Sequence, residues 1–361
     1  MKSTILIENT INDILSQKYG ESGSRFLSIR DYMNINNISY KTAYKIYKYL
    51  QNLNYIILIN KLWFVCYGIC QKGTPLYKYT NNKKLIGIHV KEINNPYITK
   101  NIELLKSIYK KHNIQIIIAT SENNIDEEKN ILNFFVEQGC MGIINFPTTN
   151  TELYTFYQNY PLPMVILGRK INNIRIPCVK TDNYQTGRLV AKYLYDCHYK
   201  LFYFIGIKDL LDSQNERLKG FMDQLKDYGI ILDETNIFRL QQNDDSYLPF
   251  ITKMFSKIIN KDKYANIGVF CINDIFASKL ISYITNMHIS IPEKIGIIGY
   301  DNLPISLMTT PPLSTISYSY TQLAEGSISI LENLIENRFS TDDIVINSTM
   351  YIRNSTIKLP K

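Results

Sequence analysis

Two apolar runs joined by one helical repeat constrain this chain more than any other feature. The first, Ile267 to Ile272, ends in Asn273-Asp274. Ala277, Leu280, Ile281 and Ile284 then recur at three- and four-residue spacing, and Ile291-Pro292 stops the repeat. A second run, Ile295 to Tyr300, leads into Asp301-Asn302. Strand, helix, strand at this spacing is a parallel crossover unit. Ligands of open α/β sheets bind beyond the carboxyl ends of the strands, so Asn273 and Asp301 are expected to face one cleft. The competing reading makes Asn273 and Asp274 helix caps and Asp301 a loop turn, and for Asp274 capping is the expected role.

The same alternation extends back to Leu85. Strand patterns at 85–90, 114–119, 142–145, 164–167 and 178–180 are interleaved with helical patterns at 98–109 and 127–137. A second series, 202–205, a helix near 216–228, and 237–240, leads into the opening unit. Two series of similar length predict two lobes around a cleft. The charge divides differently. Residues 1–84 hold 12 Lys and Arg against 4 Asp and Glu, and the remaining residues hold 28 of each. The whole surplus of +8 therefore sits in the first quarter, which suggests a polyanionic partner for that quarter alone.

That quarter has its own pattern. Residues 4–18 read as a helix with Ile5, Ile7, Ile11, Ile14 and Leu15 on one side. A short helix from Ser28 meets a turn at Asn36-Asn37. Ser39 then caps a second helix that buries Ala43, Ile46, Leu50 and Leu53 and displays Tyr40, Lys41, Tyr44, Lys45 and Lys48. Runs at 55–59 and 62–66 flank Asn60-Lys61 as a tight hairpin. Helix, turn, helix and hairpin make a winged helix-turn-helix over residues 1–66. Residues 67–83, with Gly68, Gly73, Pro75 and Asn81-Asn82, read as a linker, and residues 84–361 as the body. The fold class is α/β, with an N-terminal winged helix-turn-helix followed by two parallel-sheet, Rossmann-like lobes.

Several tokens in the body occur together. They are Asn94-Asn95-Pro96-Tyr97, Thr181-Asp182-Asn183, Asn215-Glu216-Arg217-Leu218-x-Gly220-Phe221, Asn273-Asp274, Ile291-Pro292-Glu293, Gly299-Tyr300-Asp301, Pro311-Pro312-Leu313-Ser314-Thr315 and Arg353-Asn354-Ser355-Thr356. In this order they resemble the periplasmic-binding-protein-like effector domain of the lactose-repressor (LacI/GalR) family, over residues 84–358. Gly168-Arg169 departs from that family's Asp-Arg, so no ligand role is carried there. Leu27-Ser28-x-Arg30-Asp31 and Ile38-Ser39-x-x-Thr42 resemble the GntR-type winged helix. Tyr40 and Tyr44 stand where that family has arginines, and the hairpin lacks its glycine-rich tip. The combination resembles the arabinose-repressor type of regulator.

This resemblance implies a cytoplasmic, homodimeric repressor that binds double-stranded operator DNA and responds to a small sugar-like effector in the cleft between its lobes. DNA contacts are expected from Ser28, Arg30, Ser39, Tyr40, Lys41, Thr42, Tyr44, Lys45, Lys48 and Lys61. The effector is expected to meet Arg217, Asn273 and Asp301, whose donors and acceptors suit adjacent hydroxyls, with Tyr97, Phe276 and Ser121 beside them. The dimer contact is expected from apolar residues around 97–109. Chain crossings between the lobes are expected near 197–200, 313–317 and 337–343, allowing hinge closure. A transport-type solute-binding protein is the alternative, and the basic module and absence of a signal-peptide core speak against it. No membrane span is present. Four dispersed histidines and six scattered cysteines give no metal spacing and no disulfide framework, and Asp126-Glu127-Glu128 reads as charge at a helix start. No cofactor motif and no paired nucleophile and base occur, so an enzyme is not expected.

Overall fold

The computed structural model describes residues 2–148, 153–171, 173–207, 212–240, 266–336 and 342–360. The chain divides into two units, Met1–Val179 with Tyr320–Ile344, and Lys180–Ser319 with Val345–Lys361. It therefore passes between units at 179–180, 319–320 and 344–345. The crossings expected near 197–200 and 313–317 lie inside the second unit. Most of 337–343 falls outside the described residues.

The first unit begins with helices α1 (Lys2–Leu15), α2 (Ile29–Asn36) and α3 (Tyr40–Asn52), then the antiparallel hairpin β1 (Ile56–Ile59) and β2 (Leu62–Val65). This is the expected winged helix-turn-helix. Asn37 ends α2 in the left-handed region at φ 49°, and Asn60 and Lys61 at φ 49° and 65° turn the hairpin, as a type I′ turn requires. Ile14, Tyr32, Ala43, Ile46, Tyr47 and Leu50 form its core with Ile56 and Val65. Of the apolar residues expected on one side of α1, Ile14 is buried while Ile5 and Leu15 are exposed.

Because side chains alternate along a strand, Ile57, Ile59 and Phe64 face away from that core. They join Leu132, Phe135 and Val136 in a second cluster. Residues 67–83, expected as a linker, carry the short helix α4 (Pro75–Thr80), with Cys70 and Leu76 buried in the same cluster. The amide of Cys70 donates to the Pro161 carbonyl at 2.9 Å, and the Asn159 side chain donates to the Leu53 carbonyl at 2.9 Å.

The lobe of this unit holds β3 (Leu85–Val90), α5 (Pro96–Lys111), β4 (Gln115–Thr120), α6 (Ile125–Glu137), β5 (Gly142–Phe146), α7 (Tyr154–Gln158), β6 (Met164–Leu167) and β7 (Cys178–Thr181). Its sheet order is β13-β7-β6-β5-β3-β4, where β13 is Ile344–Ile346, and the pairs from β4 through β7 are parallel. Helix α12 (Tyr320–Ile335) packs on α5. Ile98, Leu105 and Tyr109, expected to supply a dimer face, are buried in this unit instead.

The second unit contains α8 (Asn183–Asp196), β8 (Leu201–Ile207), α9 (Asp212–Asp227), β9 (Ile237–Leu240), β10 (Ile267–Cys271), α10 (Asp274–Asn286), β11 (Ile295–Tyr300), α11 (Ile305–Met308), β12 (Ser314–Tyr318) and β14 (Ser348–Tyr351). The order is β14-β12-β11-β10-β8-β9, parallel except for β14 against β12. Two glycines bring α8 and α9 together. A Cβ on Gly187 would strike the Arg217 carbonyl, and one on Gly220 the Tyr184 carbonyl. This close approach fixes where Arg217 stands on the sheet.

Candidate functional site

In the second unit the carboxyl ends of β10 and β11 deliver Asn273 and Asp301 beside Arg217. Arg217 is buried, donates from Nη1 to the Ile272 carbonyl at 2.7 Å, and lies 3.8 Å over the Tyr300 ring. A guanidinium on an aromatic face is held by charge–quadrupole attraction, so Tyr300 orients it while Ile272 anchors one end. Asp301 follows β11 directly at φ 97°. A non-glycine residue there is strained, and Asp and Asn tolerate positive φ better than most. Its carboxylate accepts from the Tyr318 hydroxyl at 2.8 Å. Burial raises the Asp301 pKa, and Arg217 and Tyr318 pull it partly back.

Asn273 is the N-cap of α10, its Oδ1 accepting from the Phe276 amide at 3.0 Å. The amide nitrogen on the same side chain has no protein partner among the described residues and remains available to a ligand. Capping was expected of Asp274. That carboxylate is instead fully buried and accepts from the Leu303 amide at 2.7 Å and from the Thr315 hydroxyl, tying the loop after β11 to β12. Phe276 is half-buried against the core cluster around Ile205 and Ala277. Spacing alone did not single out Tyr300, Tyr318, Thr181 and Asn183. Thr181 lies 2.8 Å and Asn183 3.4 Å from the Tyr300 hydroxyl. Thr181, Asn183 and Tyr300 did fall within the family-like tokens.

Burial, the largest cause, lifts the Asp274 pKa to about 7. The folded state thus holds this proton to higher pH than the unfolded chain, whose carboxyl titrates near 4. Asp274 favours folding below about pH 4, and that contribution is lost as pH rises toward 7. Asparagine mimics the protonated form, donating to Thr315 and accepting from Leu303. Asp274→Asn is expected to flatten the fall of the urea midpoint between pH 5 and pH 8. Parallel pH profiles would remove Asp274 from the explanation.

The first unit places its two expected effector residues differently. Tyr97 is half-buried, edge-on to Phe146 at 6.3 Å and tilted against Tyr320 at 6.0 Å. Ser121 is buried, its hydroxyl 2.9 Å from His89 Nε2. It supports the sheet interior and does not face solvent. His89 Nδ1 lies 2.6 Å from Asn145 Oδ1, and the Asn145 amide reaches Glu128 at 3.5 Å. Glu128 also accepts from the Tyr157 hydroxyl and from the Thr148 amide at 2.9 Å. Among Asp126, Glu127 and Glu128, expected as helix-start charge, Glu128 is fully buried and holds this network together. Burial lowers the His89 pKa, and Glu128 partly offsets that. Arg169 is also buried and donates to the Pro147 and Thr148 carbonyls.

On the winged helix, Ser28 and Ser39 are the N-caps of α2 and α3, accepting from Asp31 and Thr42 amides at 3.2 and 3.3 Å. Their hydroxyls also meet Asp31 Oδ2 at 2.6 Å and Thr42 Oγ1 at 2.9 Å. Arg30, Tyr40, Lys41, Tyr44, Lys45, Lys48 and Lys61 are exposed, and Thr42 is half-buried. All six cysteines are buried, and none is in a disulfide. Among the described residues no cluster suits a metal ion, and no helix is long and apolar enough to cross a membrane.

The family model of a periplasmic binding protein-like domain matches residues 191–356. The HTH-type transcriptional repressor PurR of Pasteurella multocida is 25% identical over 281 residues, 76% of this chain and 82% of that protein. The arabinose metabolism transcriptional repressor of Halalkalibacterium halodurans is 23% identical over 363 residues, 97% of this chain and 94% of that protein. A periplasmic binding protein/LacI transcriptional regulator from Alkaliphilus metalliredigens, solved with D-xylulofuranose, superposes with a TM-score of 0.64 at 24% identity. That match covers 76% of this chain and all of the other, and it shows a shared fold.

Proposed function

We propose that this chain, a winged helix on a LacI-type, periplasmic-binding-protein-like body, is a ligand-responsive transcriptional repressor. The observation that carries the reading is the joining of a basic first quarter, residues 1–84, which holds all the net positive charge, to a body whose relatives are repressors, not enzymes. The GntR assignment of the winged helix draws support from its residues and from the arabinose repressor's similarity across 97% of this chain. Arg30, Lys41, Lys45, Lys48 and Lys61 serve as phosphate contacts, the first four presented by the capped helices and Lys61 by the hairpin turn. Dimeric binding to near-palindromic operators fits a winged helix. Exposed apolar Leu307 and Met308 on α11, with Ile352 after β14, offer a dimer face. The effector is a small sugar, with a pentose first, held by Arg217, Asn273 and Asp301 with Phe276 as an apolar wall. The cytoplasm is the expected compartment.

Two measurements test this. A pentose panel in thermal-shift assays should yield at least one sugar that raises the melting temperature, because a ligand of the folded state stabilises it. In gel-shift titrations at several salt concentrations, Lys45→Ala should weaken binding to all sequences. It should also lower the slope of log affinity against log salt by about 0.9, one released counterion. An unchanged slope removes Lys45 from the phosphate contacts. Failure to bind any duplex overturns the DNA-binding reading.

A further inference from the structure

Helix α3 divides its tyrosines into two sets. Tyr47 is buried, its hydroxyl donating to the Leu27 carbonyl at 2.9 Å, and it packs edge-on against Tyr32 and Trp63. Tyr40 and Tyr44 are 56% and 44% exposed and are not part of that core. Instead their rings stack on each other, 6.1 Å between centroids and 19° between planes. Folding gains little from two such rings in water. Cations surround them: Lys41 and Lys45 are exposed on the same helix, and Lys48 Nζ lies 5.8 Å from the Tyr44 ring.

Tyr40 is the first residue of α3 and Tyr44 stands one turn further on. The amino-terminal part of a recognition helix is the part that reaches base edges. Guanine is read there by Arg or Lys through O6 and N7, and adenine by Asn or Gln through N6 and N7. The first turns of α3 expose no Arg, Asn or Gln, and the lysines flanking the rings suit phosphates. What the two rings present is flat apolar surface, and the apolar group in the major groove is the 5-methyl of thymine.

We propose that Tyr40 and Tyr44 are the base-reading residues and that each operator half-site carries two thymines whose 5-methyl groups pack on these rings. The 6.1 Å between centroids spans about two base steps of 3.4 Å each, so both thymines fall within three consecutive base pairs. Specificity then comes from apolar contact and affinity from lysine–phosphate contacts, so the two are separable. The proposal rests on the DNA-binding reading of α3.

The test uses the full-length chain. Half-sites are enriched from randomised duplexes, and each selected thymine is then replaced by deoxyuridine, which keeps the pairing and removes only the methyl. Binding is followed by fluorescence anisotropy. Wild type should weaken about fourfold for each methyl lost, the equivalent of burying one methylene-sized group, with an unchanged salt slope. Tyr44→Ala should become indifferent to one deoxyuridine and Tyr40→Ala to the other. Tyr44→Phe, which keeps the ring, should retain the penalty. Both tyrosines are exposed, so these variants fold. The proposal is overturned if wild type ignores both deoxyuridines. It is equally overturned if the alanine variants keep both penalties, or if Tyr44→Phe behaves as Tyr44→Ala. Alanine variants that select the wild-type sequence with wild-type affinity would assign the rings to a protein partner. Absence of any duplex binding would instead sink the underlying DNA-binding reading.

Discussion

Glu128→Ala is expected to destabilise the chain by about 2–6 kcal/mol, the cost of leaving two buried donors unsatisfied at about 1–3 kcal/mol each. Glu128 is fully buried, and three donors converge on its carboxylate: the Tyr157 hydroxyl, the Thr148 amide and the Asn145 side chain. Alanine leaves the Tyr157 hydroxyl and the Thr148 amide without this acceptor, while the Asn145 amide keeps the Tyr157 oxygen at 3.3 Å. Each buried unsatisfied group costs about 1–3 kcal/mol. The damage should spread along the hydrogen bonds, because Asn145 holds His89 and His89 holds Ser121. Glu128→Gln keeps the volume and one acceptor, and its loss should fall near the cost of a single unsatisfied donor. Urea unfolding of the wild type and both variants decides this. A loss below about 1 kcal/mol for the alanine variant would be the size of an ordinary exposed pair and would show the network to be dispensable.

The α/β alternation was legible because strands buried on both faces read as continuous apolar runs. Strands β3, β6 and β11 were recovered with their observed bounds. The winged helix was legible from its caps and its Asn turns. Strand β12 was not. Ser314 and Thr315 look like a loop in sequence, and they are buried only because Ser355, Thr356 and Asp274 satisfy them. Polar residues paired over some forty positions leave no periodic signal. The same holds for Glu128, which periodicity cannot separate from its two exposed neighbours, and for the stacking of Arg217 on Tyr300. Asn273 took the cap expected of Asp274, since either residue type can cap and only the packing of the loop after β11 decides.

Asp301→Asn is expected to weaken sugar binding at least tenfold while leaving DNA binding intact. A hydrogen bond to a charged group is worth about 1.5–3 kcal/mol, and 1.4 kcal/mol is a factor of ten. The substitution isolates chemistry from backbone. Asn keeps the volume of Asp and tolerates the positive φ of 97° at this position. It replaces an acceptor-only carboxylate with a side chain that is half donor, and it leaves Arg217 without the charge that acts on it. Sugar hydroxyls donating to the carboxylate would then meet an N–H. Asp301→Gly is the complementary variant. It releases the strained φ but also deletes the acceptor of the Tyr318 hydroxyl, and sugar affinity should fall as far or further. Calorimetry with the pentose that gives the largest thermal shift supplies the affinities. If both variants bind that sugar as tightly as the wild type, Asp301 is a loop residue held by Tyr318, and the effector site must be sought away from the end of β11.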